Sequence, residues 1–337
     1  MRRLELVERG GLEWRDAPAL DGPGPGEARV RPVAVATCDL DAAMVRGITP
    51  FQPPFPFGHE CVAEVEEVGD GVAGVAAGDR VSVPFQVFCG ACARCRAGST
   101  AHCDSVPRMS LYGIGDGARR FGGFLADAVL VPYADAMLSP VPAGVAPEAA
   151  ASVSDNVSDA WRTVGGPLAE HPGAPVLVCG GSGSIDLYVV AIALALEAER
   201  VDYVGTRPEL RERAAGLGAQ IAGDAFPERL GPYPVTVDAS ADPAGLHCAL
   251  RSTDVDGICT STGIYFEPET SVPLLEMYTK GISFHTGMAN VGPVIPQVLA
   301  LIADGRLHPE RVTSRVLAFD DAAEAIGGQR EKLVFTR

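Results

Sequence analysis

Hydrophobic and polar positions change rhythm part-way along this chain. Up to about residue 150, short apolar runs are interrupted every few residues by turn signals such as Asp21-Gly22-Pro23-Gly24-Pro25-Gly26 and Gly69-Asp70-Gly71, the spacing of short strands. Ala28 to Val35, Cys61 to Val68 and Arg80 to Pro84 carry the β-branched residues of a small, irregular, barrel-like sheet. At Pro147 to Ala151 the texture turns Ala-rich and helical, and strand-like and helix-like stretches then alternate. Strand Val176 to Cys179 precedes helix Ser184 to Glu197, and strand Arg200 to Val204 precedes helix Glu209 to Gly216. Further strands fall near Val235 to Val237 and Gly257 to Ser261. Strands separated by helices predict a doubly wound parallel sheet, so the fold class is α/β. An amphipathic helix, Ile295 to Asp304, and a closing strand, Lys332 to Thr336, complete the pattern.

Composition narrows the function. The 337 residues suit two domains, each with a sizeable core. Lys and Arg number 27 against 43 Asp and Glu, and the net charge of −16 repels polyanions, which excludes a nucleic-acid or anionic-membrane surface. With 47% apolar and 21% charged residues, neither wholesale disorder nor a fibrous repeat is expected. Arg2, Arg3, Glu5, Glu8 and Arg9 crowd the start, and no apolar stretch approaches the roughly 20 residues that span a bilayer. A cytoplasmic protein is expected, and in a reducing compartment clustered cysteines hold metal or do chemistry.

Cys89, Cys92, Cys95 and Cys103 stand as C-x2-C-x2-C-x7-C in a loop with Gly90 and Gly98. Four thiolates so close converge on one ion, and a four-sulfur site with no open position is structural zinc. Surface disulfides conflict with the compartment, and an iron–sulfur run would close with three intervening residues and Pro, where this one has seven and Asp104. Cys61, Cys179, Cys248 and Cys259 read as small core residues.

Cys38, His59 and Glu60 suggest a second metal, since a thiolate, an imidazole and a carboxylate are all zinc donors. A catalytic zinc needs a third protein ligand and an open position. On these residues alone, a core cysteine and a hydrogen-bonded loop histidine is the stronger reading.

Val176 to Cys179 runs into Gly180-Gly181-Ser182-Gly183-Ser184-Ile185-Asp186. Strand, glycine turn and helix start are the context in which backbone N–H groups face a dinucleotide pyrophosphate, assigning Gly181, Ser182, Gly183, Ser184 and Ile185 to cofactor binding. Asp186 occupies the place of the third glycine, so its side chain must find room and solvation. After the second strand, where an NAD enzyme carries an acid, stand Gly205, Thr206 and Arg207. A hydroxyl and a guanidinium there favour a 2′-phosphate, so NADP(H) is the preferred cofactor. Arg207 also reads as a solvated charge flanking a helix.

Cys38 with Asp41, Gly58-His59-Glu60, Gly78-Asp79-Arg80-Val81, the four-cysteine lobe and the glycine loop follow one another in an order that resembles the zinc-containing medium-chain alcohol dehydrogenases. The resemblance runs through nearly the whole chain. It implies a GroES-like, irregular β-barrel catalytic domain over residues 1–150 with a structural zinc lobe at 86–106, a Rossmann NADP-binding domain over 151–288, and a return to the catalytic domain over 289–337. It implies a catalytic zinc on Cys38, His59 and Asp155, with Glu60 a neighbour able to swing onto the metal. Asp155, ahead of a helix and of Trp161, is similar to the aspartate of formaldehyde-dehydrogenase-like branches; it also fits a helix N-cap.

The implied activity is NADP(H)-dependent hydride transfer between nicotinamide and an alcohol, aldehyde or ketone, with zinc as Lewis acid. Many relatives carry a hydroxyl relay two residues after the zinc cysteine, where this chain has Leu40, and Ala43 transfers no proton either. Asp39 and Asp159 are candidate alternative acids, or simply hydrogen-bond locally. Asp41 is structural on the family pattern. Two other readings follow: an enone or quinone reductase that keeps zinc, and a nucleotide-binding paralogue with little turnover, suggested by Leu40 and Asp186. Relatives are dimers or tetramers, so a homodimer or homotetramer is expected, with Pro268 to Met288 a place for its contacts. Phe51, Phe55, Phe85, Trp161 and Phe284 to Asn290 are candidates for lining a small-molecule pocket.

Overall fold

The computed structural model describes residues 1–327 and 331–337. The chain divides into two compact units, one of residues 1–158, 290–305 and 313–337, the other of residues 159–289 and 306–312.

The first unit is built on strand Ala28–Ala36, which pairs antiparallel with Glu60–Val68, Val129–Val131 and Leu333–Thr336. Arg80–Val83 and Ser139–Pro140 extend the sheet at one side, and Arg315–Ala318 pairs in parallel with Leu333–Thr336 at the other. The β-branched runs therefore lie where the sequence pattern places them. Arg2–Glu8 and Gly11–Asp16 form a hairpin that the sequence reading does not include; Leu4 and Leu6 point inward while the charges between and before them are more exposed. Two-residue alternation hidden among charges is the signal. The closing strand returns from the far end of the chain to lie between Arg315–Ala318 and Ala28–Ala36, so the sheet joins the two ends of the sequence.

The second unit is a six-stranded, wholly parallel sheet in the order Gln220–Gly223, Val201–Val204, Val176–Gly180, Tyr233–Ala239, Thr253–Ser261, Ser283–Thr286. The order reverses at Val176–Gly180, the switch point outside which doubly wound sheets bind ligands. Val176, Leu177, Val178 and Cys179 are fully buried, an unbroken apolar run because both sheet faces are covered. Each large side chain of this kind contributes about 1.5–3 kcal/mol by burial. Helix Ser184–Ala195 is likewise buried almost all round. Cys179, Cys248 and Cys259 are fully buried among Leu177, Val204, Leu246 and Leu250. No helix among the described residues is long and apolar enough to cross a membrane.

Candidate functional site

Three residues distant in sequence come together inside the first unit. Cys38 Sγ, a ring nitrogen of His59 and a carboxylate oxygen of Asp155 all lie within 4.8 Å of one another. Cys38 follows strand Ala28–Ala36 and caps helix Asp39–Val45; its N–H donates to Asp41 Oδ2 at 2.8 Å in a capping box. Gly58, at φ +91°, hands over to His59; a Cβ on it would stand 2.9 Å from the Leu125 backbone nitrogen, so glycine is required. Asp155 sits at the joint between the 3-10 turn Ala151–Ser154 and helix Asn156–Glu170. Ser154 pins that joint to strand Glu60–Val68 by accepting the Cys61 N–H at 2.7 Å.

The other Asp41 oxygen, Oδ1, stands 3.3 Å from His59 Nδ1, and Asp155 Oδ2 stands 3.4 Å from His59 Nε2. Neither approach is aligned as a hydrogen bond, and both His59 nitrogens and Asp41 Oδ1 are buried without a hydrogen-bond partner among the described residues. Burial pulls the His59 imidazolium down, but the Asp41 and Asp155 carboxylates outweigh it and hold the ring well above the ordinary histidine value. Burial, then the Asp155 charge, push the Cys38 thiol up to about 12. A thiol so placed ionises when a divalent cation draws the proton off, as zinc does to a coordinating cysteine. Orphaned buried nitrogens and a sulfur–nitrogen–oxygen donor set fit a zinc ion with three protein ligands.

Glu60 is fully buried beside this group, and burial pushes its carboxyl up to about 7 despite the neighbouring Lys332 ammonium. Lys332, also buried, donates to Glu60 Oε2 and to the Thr37 carbonyl. The sequence reading gives Lys332 no role beyond opening the closing strand; a lone charge abutting the buried run Leu333–Phe335 is the signal that marks it.

The Cys89, Cys92, Cys95 and Cys103 ligand atoms likewise lie within 4.8 Å of one another. Turn backbone shapes the group: Cys92 N–H points at Cys89 Sγ, and Cys95 N–H at Cys92 Sγ. Burial raises the Cys89 thiol, but Ser105 and the Ala91 and Cys92 N–H groups bring it down to about 6, while burial and its sulfur neighbours push Cys95 up to about 12. All nine cysteines are free. Asn290 clasps the lobe, accepting from Thr100 Oγ1 and Ala101 N–H and donating to the Gly98 carbonyl.

In the second unit, Gly181 and Gly183 turn at φ +156° and +142° into helix Ser184–Ala195. Ser182 donates twice to the Ala239 carbonyl, from its N–H and its hydroxyl, which ties the loop to the neighbouring strand. Asp186 finds protein partners in place of solvent: it is fully buried and its Oδ2 accepts the Gly181 N–H at 2.7 Å. Gly205 and Thr206 follow strand Val201–Val204, and Arg207 donates to Glu209 at 2.7 Å and reaches the Gly181 carbonyl at 3.5 Å.

Residues 24–143 match the family model of the alcohol dehydrogenase GroES-like domain. A probable zinc-binding alcohol dehydrogenase of Mycobacterium tuberculosis is 28% identical, over 98% of this chain and 86% of its own length. Along nearly its whole length the chain is similar to zinc-binding alcohol dehydrogenases. The solved alcohol dehydrogenase of Thermus sp. ATN1 superimposes with a TM-score of 0.87 at 29% identity, covering 100% of this chain and 99% of that one. A glutathione-independent formaldehyde dehydrogenase of Pseudomonas aeruginosa is 42% identical over a shorter stretch, 34% of this chain and 29% of its own length.

Leu40 and the buried Ala43, on the helix that follows Cys38, carry no hydroxyl. Asp159 is committed to Arg162, at 2.7 Å. Phe85 presents an edge to His59 at 5.9 Å between ring centroids, whereas Phe55 is buried in the core against Phe57 and Phe284 packs on the second unit's core.

Proposed function

We propose that this chain is an NADP(H)-dependent, zinc-containing alcohol dehydrogenase or carbonyl reductase acting on a small molecule. The observation that carries the reading is the convergence of Cys38, His59 and Asp155 in a buried place where the histidine nitrogens have no hydrogen-bond partner among the described residues. Cys38, His59 and Asp155 would hold the catalytic ion, and Cys89, Cys92, Cys95 and Cys103 a structural one. Bound zinc supplies Lewis acidity toward an alcohol or carbonyl oxygen, and nicotinamide supplies or accepts the hydride. Asp41 fixes the Cys38 backbone and stands against the His59 ring, and Phe85 fills the space beside that ring.

The second unit serves as the nucleotide-binding domain, its residues Gly181 to Ile185 cradling the pyrophosphate at a helix start. Thr206 and Arg207 replace the acid that would repel a 2′-phosphate, which favours NADP(H) over NAD(H). With Leu40 and Ala43 unable to carry a proton, transfer from the alcohol runs through water or another side chain. The same absence favours, as a second reading, hydride delivery to a conjugated double bond with the zinc retained. A homodimer or homotetramer is part of the proposal.

Zinc content of the purified chain, measured with initial rates on alcohols, aldehydes, ketones and enones with NADPH and with NADH, tests the reading. Two zinc ions per chain, preference for NADPH and loss of carbonyl turnover in Cys38→Ser are expected. One zinc per chain, or unchanged turnover in Cys38→Ser, overturns it.

A further inference from the structure

Asn156 hydrogen-bonds to Cys38, Asp155, Glu60 and Lys332. It is 4% exposed and opens helix Asn156–Glu170 directly after Asp155. Its Nδ2 donates to Cys38 Sγ at 3.2 Å and to Asp155 Oδ2 at 3.3 Å. Its Oδ1 accepts from Lys332 Nζ at 3.2 Å, and its backbone N–H donates to Glu60 Oε1 at 3.2 Å.

The chemistry of the neighbours fixes which way the amide faces. A lysine ammonium has three donors and no acceptor, so the Asn156 carbonyl must face Lys332. The NH2 group is thereby turned toward the sulfur and the carboxylate, both of which accept. The same ammonium holds Glu60 Oε2, so one buried cation orients the amide and restrains the spare carboxylate.

We propose that Asn156 is a positioning residue for the triad: oriented by Lys332, its amide holds Cys38 and Asp155 in donor geometry and draws electron density from the sulfur, while Glu60 is kept off the ion. This rests on the reading of Cys38, His59 and Asp155 as zinc ligands. Partners of this kind set ligand orientation and tune the metal, and their loss costs about 10–100-fold in metal affinity.

The test uses the full chain, with zinc affinity measured by chelator competition and the thiolate-to-cobalt charge-transfer band recorded after cobalt substitution. Asn156→Asp keeps the shape of the side chain but, ionised, offers no donor; Asn156→Ala removes both donor and acceptor. Both are expected to weaken the Cys38 site about 10–100-fold and leave the four-cysteine site unchanged. The band should move to lower energy, because a hydrogen bond to sulfur stabilises the lone pair from which the transition starts. Asn156→Ser, which keeps a donor at shorter reach, should recover part of both effects and serves where the other variants fold poorly. Wild-type affinity and an unmoved band in folded variants overturn the positioning role alone. A wild-type chain that takes up metal only at the four cysteines overturns the zinc-ligand reading, and this role with it.

Discussion

Tyr203 donates its phenolic hydrogen to Asp186 Oδ2 at 2.9 Å, and neither side chain meets solvent. The pair bridges the second strand of the parallel sheet and the first turn of helix Ser184–Ala195, beneath the glycine loop. It explains how a carboxylate stands where the nucleotide loop carries glycine in its ordinary pattern: the charge is met by the phenol and by the Gly181 and Leu187 N–H groups. Burial, then the Asp186 charge, push the Tyr203 phenol well above its ordinary value, so it stays a donor. Gly180 leaves the room, since a Cβ there would stand 2.3 Å from the Tyr203 hydroxyl.

Tyr203→Phe removes that donor and leaves a buried carboxylate under-satisfied, which costs about 1–3 kcal/mol. Urea unfolding of the variant beside the wild type reads this directly. Equal midpoints and slopes would mean that the phenol contributes nothing to the loop's support.

Arg207 discriminates between cofactors on the proposed reading. Arg207→Ala should raise the Kd for NADPH about 10–100-fold, the worth of a charge-assisted hydrogen bond of about 1.5–3 kcal/mol, and leave NADH within about twofold. Nicotinamide fluorescence titration measures both. Equal losses for the two cofactors would make Arg207 a structural residue paired with Glu209.

The two cysteine groups should separate structure from chemistry. Cys92→Ser is expected to lower zinc from two ions per chain to one and to lower Tm, because a four-thiolate ion contributes to folding outright. Cys38→Ser should lose the other ion and the turnover with a smaller change in Tm. Calorimetry beside metal analysis decides; a Cys92→Ser chain with unchanged zinc content would refute the lobe assignment.

Asp127 links the two ends of the first unit, accepting the Arg2 N–H and the Arg337 guanidinium. Burial raises its carboxyl, but these two partners outweigh burial and leave it below the ordinary aspartate value. A depressed folded pKa adds stability above the unfolded value, about 3.9, that is lost as pH falls through the folded one. Asp127→Asn should therefore be less stable than the wild type at about pH 6, by under about 1 kcal/mol for so exposed a pair, with the gap closing below about pH 4. A gap that widens on acidification in urea titrations would contradict the assignment.

Features written in local spacing are legible in the residues themselves. C-x2-C-x2-C-x7-C closes on itself through short turns, and a strand, glycines and a helix in immediate succession produce the glycine loop, because backbone preference and sequence distance decide both. The β-branched runs at Ala28–Ala36 and Glu60–Val68 appear as strands for the same reason. Cys38, His59 and Asp155 are legible only through likeness to a family, since nothing in their spacing requires convergence.

Tertiary structure alone pairs Lys332 with Glu60 across 272 residues of sequence, turns the Asn156 amide toward Cys38, and slides Tyr203 under Asp186. In sequence these are single polar residues, and a lone lysine or asparagine has the pattern of a solvated one. Their partners are fixed by long-range strand pairing that brings the closing strand into the sheet and the helix starts against it. A buried charge persists only where such packing supplies its counter-charge and hydrogen bonds within a few ångströms, a condition that depends on the assembled fold and leaves no periodic trace along the chain.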